Sequence, residues 1–320
     1  MISTVVGSYP VSEGEVKTFK DKLLKSIGSY DPYKIAIDHA VNKQLSARID
    51  LISDGQVRDN MVKIFAKGMT GYEFDGNLCK ICNKIGNPDP STVANDLKYA
   101  KSVMDKKLKE MDLTKKEREK KGIKGLITGP NTMIFSSSIE TKLYKTKESA
   151  ILDMAETLKF HGIALEKAGA KVIQIDEPFI STGLVDLKTA KKSIEIISKE
   201  VNIPVALHCC GDISNVLESL VYFDVDILDF EFAGHKQNLK VLEKYRDEFN
   251  GKKLGLGCID TKKPKIESVE EIAKIINGGL ELFDTEDLYI DPDCGMRNLE
   301  DNVAFSKLKN MTEAINSFDS

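Results

Sequence analysis

Short apolar segments alternate with longer amphipathic segments along most of this chain. Eight of the apolar segments have the length and β-branched content typical of buried strands, namely residues 2–6, 47–52, 124–128, 171–175, 203–207, 226–230, 253–256 and 287–290. Helical patterns lie between most of them, for example at residues 147–168, 186–201, 268–283 and 299–318. Strand, helix and strand at this spacing predict parallel pairing through right-handed crossovers.

Eight such units predict an α/β fold of the closed (β/α)8 type, the TIM barrel. An open doubly wound sheet is the alternative, but no glycine fingerprint opens its first helix. Glycine, proline or polar residues follow every predicted strand, where such barrels place their active sites. These strand ends are Gly7-Ser8-Tyr9-Pro10, Asp54-Gly55-Gln56, Gly129-Pro130-Asn131, Asp176-Glu177-Pro178, His208-Cys209-Cys210, Glu231, Gly257-Cys258-Ile259-Asp260 and Asp291-Pro292-Asp293-Cys294.

One segment interrupts the rhythm, because residues 60–122 are far too many for a single connection. We expect residues 1–320 to form one catalytic domain that carries this excursion after strand 2. Residues 63–90 predict a hairpin over the barrel mouth, and residues 91–121 predict one long helix. The basic run at 115–121 is typical of a solvated face, and a docking surface for an acidic partner is the alternative.

Composition narrows the class of protein. The chain has 320 residues, of which 41% are hydrophobic and 30% charged, which is ordinary for a folded globular protein. A net charge of -4 gives no footprint for nucleic acid. No apolar run has the length of a membrane span and no signal segment opens the chain, so we expect a cytoplasmic protein. Six cysteines in a chain this long indicate metal ligands, catalytic groups or packing, and not a disulfide scaffold.

A candidate metal site comes from three strand ends. His208 and Cys210 follow one strand, and alternation along an extended chain directs them to the same side, with Cys209 on the other. Glu231 and Cys294 follow two further strands. One imidazole, two thiolates and one carboxylate form a set that is chemically suited to zinc.

Other histidines and cysteines are weaker candidates. His235 is close enough to Glu231 in sequence to be a rival ligand. Cys79 and Cys82 have a metal-like spacing but no second pair, so two ordinary cysteines or a weak redox pair are the alternatives. We expect Cys258 to be a packing residue and His161 to be a helix-face residue.

Two more strand ends suggest an amino acid as ligand. The carboxylates of Asp176 and Glu177 are suited to bind an ammonium group or to act as acid and base. Gly7 and Ser8 offer backbone N–H groups and a hydroxyl, which are suited to a carboxylate. An amino acid carries both an ammonium group and a carboxylate, although Ser8 and Asp176 as plain turn residues remain an alternative.

With these residues in view, the chain resembles the cobalamin-independent methionine synthase family, in its catalytic C-terminal barrel. The matching segments span nearly the whole chain in family order: Val6-Gly7-Ser8-Tyr9-Pro10, residues 54–62, Gly129-Pro130, Ile173-Gln174-Ile175-Asp176-Glu177-Pro178, His208-Cys209-Cys210, Glu231 and Pro292-Asp293-Cys294-Gly295. The resemblance implies zinc held by His208, Cys210, Glu231 and Cys294. It also implies L-homocysteine held through Val6, Gly7 and Ser8, with Asp176 gripping its amino group.

The chain also departs from the family pattern. A homocysteine-binding glutamate of the long enzymes appears here as Gln56, and the histidine proposed there as proton donor falls on Lys262, our candidate catalytic residue. The chain has no room for a second barrel and no tryptophan for the folate site. It is similar to the short, single-barrel branch of archaea and some anaerobes. We therefore expect L-methionine formation from a methylcorrinoid, free or on a corrinoid protein, rather than from methyltetrahydrofolate.

Three other functions remain open at this point. Related zinc barrels methylate other small thiols, such as coenzyme M, but a sulfonate acceptor requires cationic groups in the site. Porphyrin decarboxylation would need no zinc. A zinc-stabilised binding protein would hold its metal with four tight protein ligands and no open position.

Overall fold

The computed structural model describes residues 1–11 and 30–318, in which strands alternate with helices. The strands are β1 Ile2–Ser3, β2 Leu51–Ile52, β3 Thr70–Asp75, β4 Leu78–Gly86, β5 Gly122–Thr128, β6 Ser137–Ile139, β7 Val172–Asp176, β8 Val205–Cys209, β9 Ile227–Glu231, β10 Lys253–Gly257 and β11 Leu288–Asp291. The helices are α1 Tyr33–Ser46, α2 Met61–Ala66, α3 Ser91–Glu110, α4 Lys115–Lys120, α5 Pro130–Phe135, α6 Lys147–Ala168, α7 Leu187–Ser198, α8 Leu217–Leu220, α9 Gln237–Lys244, α10 Val269–Leu280 and α11 Asp301–Asn316.

Eight parallel strands make the central sheet, in the order β1-β11-β10-β9-β8-β7-β5-β2. A parallel bridge between Thr4 and Leu51 joins its two edges and closes the barrel. The predicted (β/α)8 fold is therefore confirmed. The second strand is shorter than predicted, because Ala47 ends α1 and Arg48 has a left-handed φ of 66°. The strand begins only at Leu51.

The barrel interior changes from apolar to polar along the strands. At their amino ends, the buried side chains of Leu51, Val172, Ala206 and Ile227 pack together. Because side chains alternate along a strand, the next inward positions are two residues on, and there β7, β8, β9 and β11 place polar residues. These are Gln174, His208, Asp229 and Asp291, all buried. The polar half of the interior opens at the mouth where the predicted site residues lie.

The excursion between β2 and β5 has the predicted hairpin but not the predicted helix. Strands β3 and β4 pair antiparallel, and β6 adds to β4 as a third, parallel strand that the sequence did not predict. The single helix expected at 91–121 is wrong, because α3 ends at Glu110 and α4 begins again after Thr114. Thr114 and Glu117 form a capping box, a local signal that starts a new helix.

Helix α6 packs His161 into the core against Phe65, with the two ring centroids 5.4 Å apart. Its Nδ1 atom is buried without a hydrogen-bond partner. Burial lowers the pKa of His161 to about 4, because an imidazolium would lose its hydration there. No helix in the described ranges is long and apolar enough to cross a membrane.

The lowered pKa of His161 predicts that the folded protein loses stability in acid. An unfolded histidine has a pKa of about 6.5, so the unfolded chain takes up the proton first as the pH falls. Lowering the pH from 7 to 4 should therefore remove about 3 kcal/mol of the free energy of unfolding through this group. Urea unfolding of wild type and His161→Gln at both pH values measures it. Equal losses in the two proteins would contradict the assignment.

Candidate metal and substrate site

The carboxyl ends of β8 and β11 bring three soft donor groups together. His208 Nε2 lies 3.0 Å from Cys210 Sγ, which lies 3.5 Å from Cys294 Sγ. The three donor atoms all lie within 4.8 Å of one another, as the one group of this kind within residues 1–11 and 30–318. Tetrahedral zinc with bonds of about 2.0–2.3 Å holds its donors roughly 3.5 Å apart, so the group fits this metal.

Charge within the group also suits a metal. A hydrogen bond from Cys210 lowers the pKa of the Cys294 thiol to about 4, aided by His208 and against the effect of burial. The same hydrogen bond raises the pKa of Cys210. These opposite shifts favour a single proton shared by the pair with Cys294 as the thiolate, the form that binds metal.

A carboxylate lies behind the His208 ring. Its Nδ1 atom lies 3.2 Å from Asp229 Oδ1, and both side chains are buried. A carboxylate at this position fixes the ring orientation and leaves Nε2 free for a metal. Asp229 was not among the predicted residues, although it lies two positions before Glu231 and so shares its face of β9.

Asp293 ties the turn before Cys294 to the turn after Glu231. It accepts backbone hydrogen bonds from Phe232 and Ala233 at 3.0 Å and from Gly234 at 2.6 Å. These bonds join β9 to β11. The two strands are separated by β10, so hydrogen bonds between neighbouring strands cannot make this link. The role of Asp293 depends on residues about 60 positions away, so sequence spacing gave no signal for it.

Glu231 stands beside the group without joining it. Its Oε2 atom accepts from Lys262 Nζ at 2.8 Å and lies 3.3 Å from His235 Nε2. Its Oε1 atom is buried with no hydrogen-bond partner. That free oxygen supports Glu231 as the fourth ligand, which stays a prediction. His235, considered as a rival ligand, contacts Glu231 instead of the three-donor group.

The loop that carries Lys262 is fixed by a buried lysine. Lys307 is fully buried and donates to the backbone oxygen of Asp260 at 3.0 Å and to Glu267 Oε2 at 2.7 Å. It therefore anchors the 260–267 loop on α11. Lys307 lies far away in sequence, so its part in placing Lys262 was not predicted.

Lys262 binds the Glu231 carboxylate, which is predicted to be a metal ligand, and this predicts an effect of removing Lys262. Lys262→Met should raise zinc affinity several-fold, because the carboxylate loses its alternative partner. Competition against a chelator measures the affinity. Lys263→Met is the matched control, since Lys263 pairs with Asp260 at 2.7 Å and not with Glu231. Weaker zinc binding in Lys262→Met alone would contradict this role.

The predicted substrate residues surround the same mouth. Asp176 ends β7 and is paired in register with His208 on β8, and burial raises its pKa to about 7. The Ser8 carbonyl accepts from Met296 N at 2.8 Å, so the turn at Ser8 packs against the turn after Cys294. A side chain on Gly295 would collide with Ser8 Oγ. The predicted metal ligands and the predicted substrate residues therefore lie on one wall of the barrel mouth.

Gln56 lies beside Gly7. A Cβ added to Gly7 would meet Gln56 Oε1 at 3.2 Å, and the Nε2 group of Gln56 is buried without a partner. Ser53 Oγ donates to the Gly7 carbonyl at 2.6 Å and fixes that strand end. An unsatisfied buried amide donor is rare, and it favours an acceptor atom of a ligand at this position.

The Glu177 side chain binds the first residues of α5. Its two carboxylate oxygens accept from Asn131 N and Nδ2 at 2.9 and 2.8 Å, and from Thr132 N and Oγ1 at 2.9 and 2.7 Å. These bonds cap the start of α5. We therefore expect Glu177 to shape the mouth through this turn, and its contact with substrate stays a prediction.

The remaining cysteines lie apart from the group. Cys209 is fully buried on the opposite side of β8, as alternation predicts, and Cys258 is buried in the core. Cys79 is buried and Cys82 is half-buried on β4, where Cys82 Sγ is 4.0 Å from Glu140. No ligand set forms around this pair in the described part of the chain.

Comparison with known proteins places the chain in a family. The family described as cobalamin-independent synthase, catalytic domain, matches residues 1–317. The methionine synthase of Methanothermobacter thermautotrophicus is 48% identical over 316 residues, 98% of this chain and 99% of that protein. The methionine synthase of Methanocaldococcus jannaschii is 44% identical over 324 residues, 98% of each.

A solved structure shows the same fold. The B12-independent methionine synthase of Shewanella sp. W3-18-1, in complex with selenomethionine, matches with a TM-score of 0.79 and 22% identity, over 99% of this chain and 97% of that one. The chain therefore belongs to the cobalamin-independent methionine synthase family, matches its catalytic domain, and is an enzyme of the methionine synthase type.

Proposed function

We propose that this enzyme transfers a methyl group to the thiol of L-homocysteine and forms L-methionine at a zinc site. The observation that carries the proposal is the convergence of His208, Cys210 and Cys294 beside Asp176. Soft donors that suit a thiol-binding metal thus lie next to a buried carboxylate that suits an ammonium group. The Glu231 carboxylate, with its free oxygen, completes the proposed ligand set.

Zinc in this set would keep the acceptor sulfur as a thiolate at neutral pH, which is the nucleophilic form. The chain supplies the positioning. The Asp176 carboxylate accepts a hydrogen bond from the amino group of homocysteine. The backbone N–H groups of Gly7 and Ser8 and the Ser8 hydroxyl donate to its carboxylate. Lys262 holds the Glu231 carboxylate at 2.8 Å and so provides it with a partner when the acceptor thiol arrives. The acceptor sulfur then attacks the methyl carbon in line, and the donor leaves with the electron pair of the broken bond.

A methylcorrinoid, free or carried by a corrinoid protein, is the proposed donor. A reduced corrinoid leaves without taking up a proton, whereas a folate amine must be protonated. Lys262, which replaces the histidine proposed as proton donor, is bound to Glu231, and its pKa is raised by that contact against the effect of burial. The chain also has no tryptophan with which to stack a folate ring.

A methyl-transfer assay tests both halves of the proposal. Purified protein loaded with zinc is incubated with homocysteine and either methylcobalamin or methyltetrahydrofolate, with coenzyme M as a parallel acceptor. We expect methionine from methylcobalamin. Methionine from the folate alone would contradict the donor, and methylation of coenzyme M alone would contradict the acceptor.

The same proposal covers the location and organisation of the protein. Thiolate ligands persist in a reducing compartment, which supports a cytoplasmic enzyme. We propose residues 1–320 as one catalytic domain, with the hairpin of the 60–122 excursion beside the barrel mouth. Lys63 of α2 donates to the Gly76 carbonyl at the tip of that hairpin at 2.8 Å.

A further inference from the structure

A buried glutamine crosses the barrel between the two halves of the proposed amino-acid site. Gln174 is fully buried on β7, two residues before Asp176. Its Nε2 donates to the Val6 carbonyl at 2.7 Å and to Asp176 Oδ1 at 2.6 Å. Its Oε1 accepts from Lys124 Nζ at 2.6 Å, and Lys124 also donates to the Val5 carbonyl at 2.9 Å.

The partners allow only one orientation of this amide. Lysine has no acceptor, so Oε1 must face Lys124, and a backbone carbonyl has no donor, so Nε2 must face Val6. Both N–H groups are then used, one by Val6 and one by Asp176. A glutamine whose every partner is specified in this way, without exposure to water, has no freedom to turn.

The strands that Gln174 joins are not neighbours. In the closed barrel β1 lies between β11 and β2, whereas β7 lies between β5 and β8. No ladder hydrogen bond therefore fixes the distance between the chain at Val6 and the carboxylate of Asp176. Gln174, braced by Lys124 of β5, supplies that link across the interior.

We infer that Gln174 is a positioning residue that sets the spacing between the carboxylate-binding turn at Val6–Ser8 and the ammonium-binding Asp176. The inference rests on the proposed function. The amino and carboxylate groups of an α-amino acid are a fixed distance apart, so a fixed spacing of their partners selects α-amino-acid thiols. A thiol that lacks the amino group gains nothing from this link.

The test compares two acceptors that differ only in the amino group, homocysteine and 4-mercaptobutanoate. Their dissociation constants are measured calorimetrically on zinc-loaded wild type, Gln174→Glu and Gln174→Met. Gln174→Glu keeps the shape and the contact with Lys124 but loses both N–H donors. Gln174→Met removes the polar group without adding a charge. In both variants we expect the preference for homocysteine to fall by about tenfold or more, with zinc content unchanged and 4-mercaptobutanoate binding weakened less than homocysteine binding.

The outcomes separate this inference from the proposed function. Equal weakening of both acceptors, or an unchanged preference in a zinc-replete variant, would show a merely structural role and overturn the inference. Wild-type protein that binds 4-mercaptobutanoate as tightly as homocysteine would overturn the amino-acid site itself, and the inference with it. A fall in preference confined to the Gln174 variants supports both.

Discussion

Cys210→Ser should lower zinc affinity about a thousandfold and bring methionine formation to background. Structural zinc sites bind with roughly 10–16 kcal/mol, so one of four ligands accounts for about 2.5–4 kcal/mol, and the upper end of this range is a factor of about a thousand. Serine keeps the size of cysteine but offers a hydroxyl that stays protonated at neutral pH. Zinc content after dialysis against a chelator and the methyl-transfer rate are measured on the same sample.

The matched control is Cys209→Ser, one position earlier in the chain. Cys209 is buried on the other side of β8 and belongs to the hydrophobic core. It should keep its zinc and its activity, with some loss of stability from a hydroxyl in apolar surroundings. A zinc-replete, active Cys210→Ser protein would refute the metal site.

Asp176→Asn has the second largest expected effect, a rise of about 100-fold in the KM for homocysteine. The amide keeps the shape of the carboxylate and loses the charge that faces the substrate ammonium group. Zinc content should not change, because Asp176 is absent from the three-donor group. Steady-state kinetics over a wide range of homocysteine concentration separates this effect on KM from one on kcat.

The pH dependence gives Asp176 a second signature. Burial raises the pKa of this carboxyl to about 7, so it gains a proton as the pH falls through that range. Wild-type KM for homocysteine should rise below pH 7, and Asp176→Asn should not show that rise. If coenzyme M is the true acceptor, Asp176→Asn should leave its KM unchanged, which makes this variant a test between the two thiols.

Local patterns were sufficient for much of the fold. Short continuous apolar segments and amphipathic stretches depend on neighbours within a few residues, so eight strands and the barrel followed from them. The same logic failed at residues 91–121, where the Thr114 capping box outweighed a continuous helical pattern. It also missed β6, because three residues added to β4 at an edge carry too little pattern of their own.

The candidate site divides in the same way. The sequence was sufficient to predict four site residues at strand ends, because barrels gather such ends at one mouth. These are His208, Cys210, Cys294 and Asp176. Which of them meet depends on barrel closure. Four contacts are visible only in the tertiary structure. Glu231 accepts a hydrogen bond from Lys262, and Glu177 accepts one from Thr132 of α5. Asp229 lies behind His208, and Gln174 donates a hydrogen bond to Val6. These contacts join residues that are far apart in sequence, and their distances are decided by packing, which no local pattern encodes.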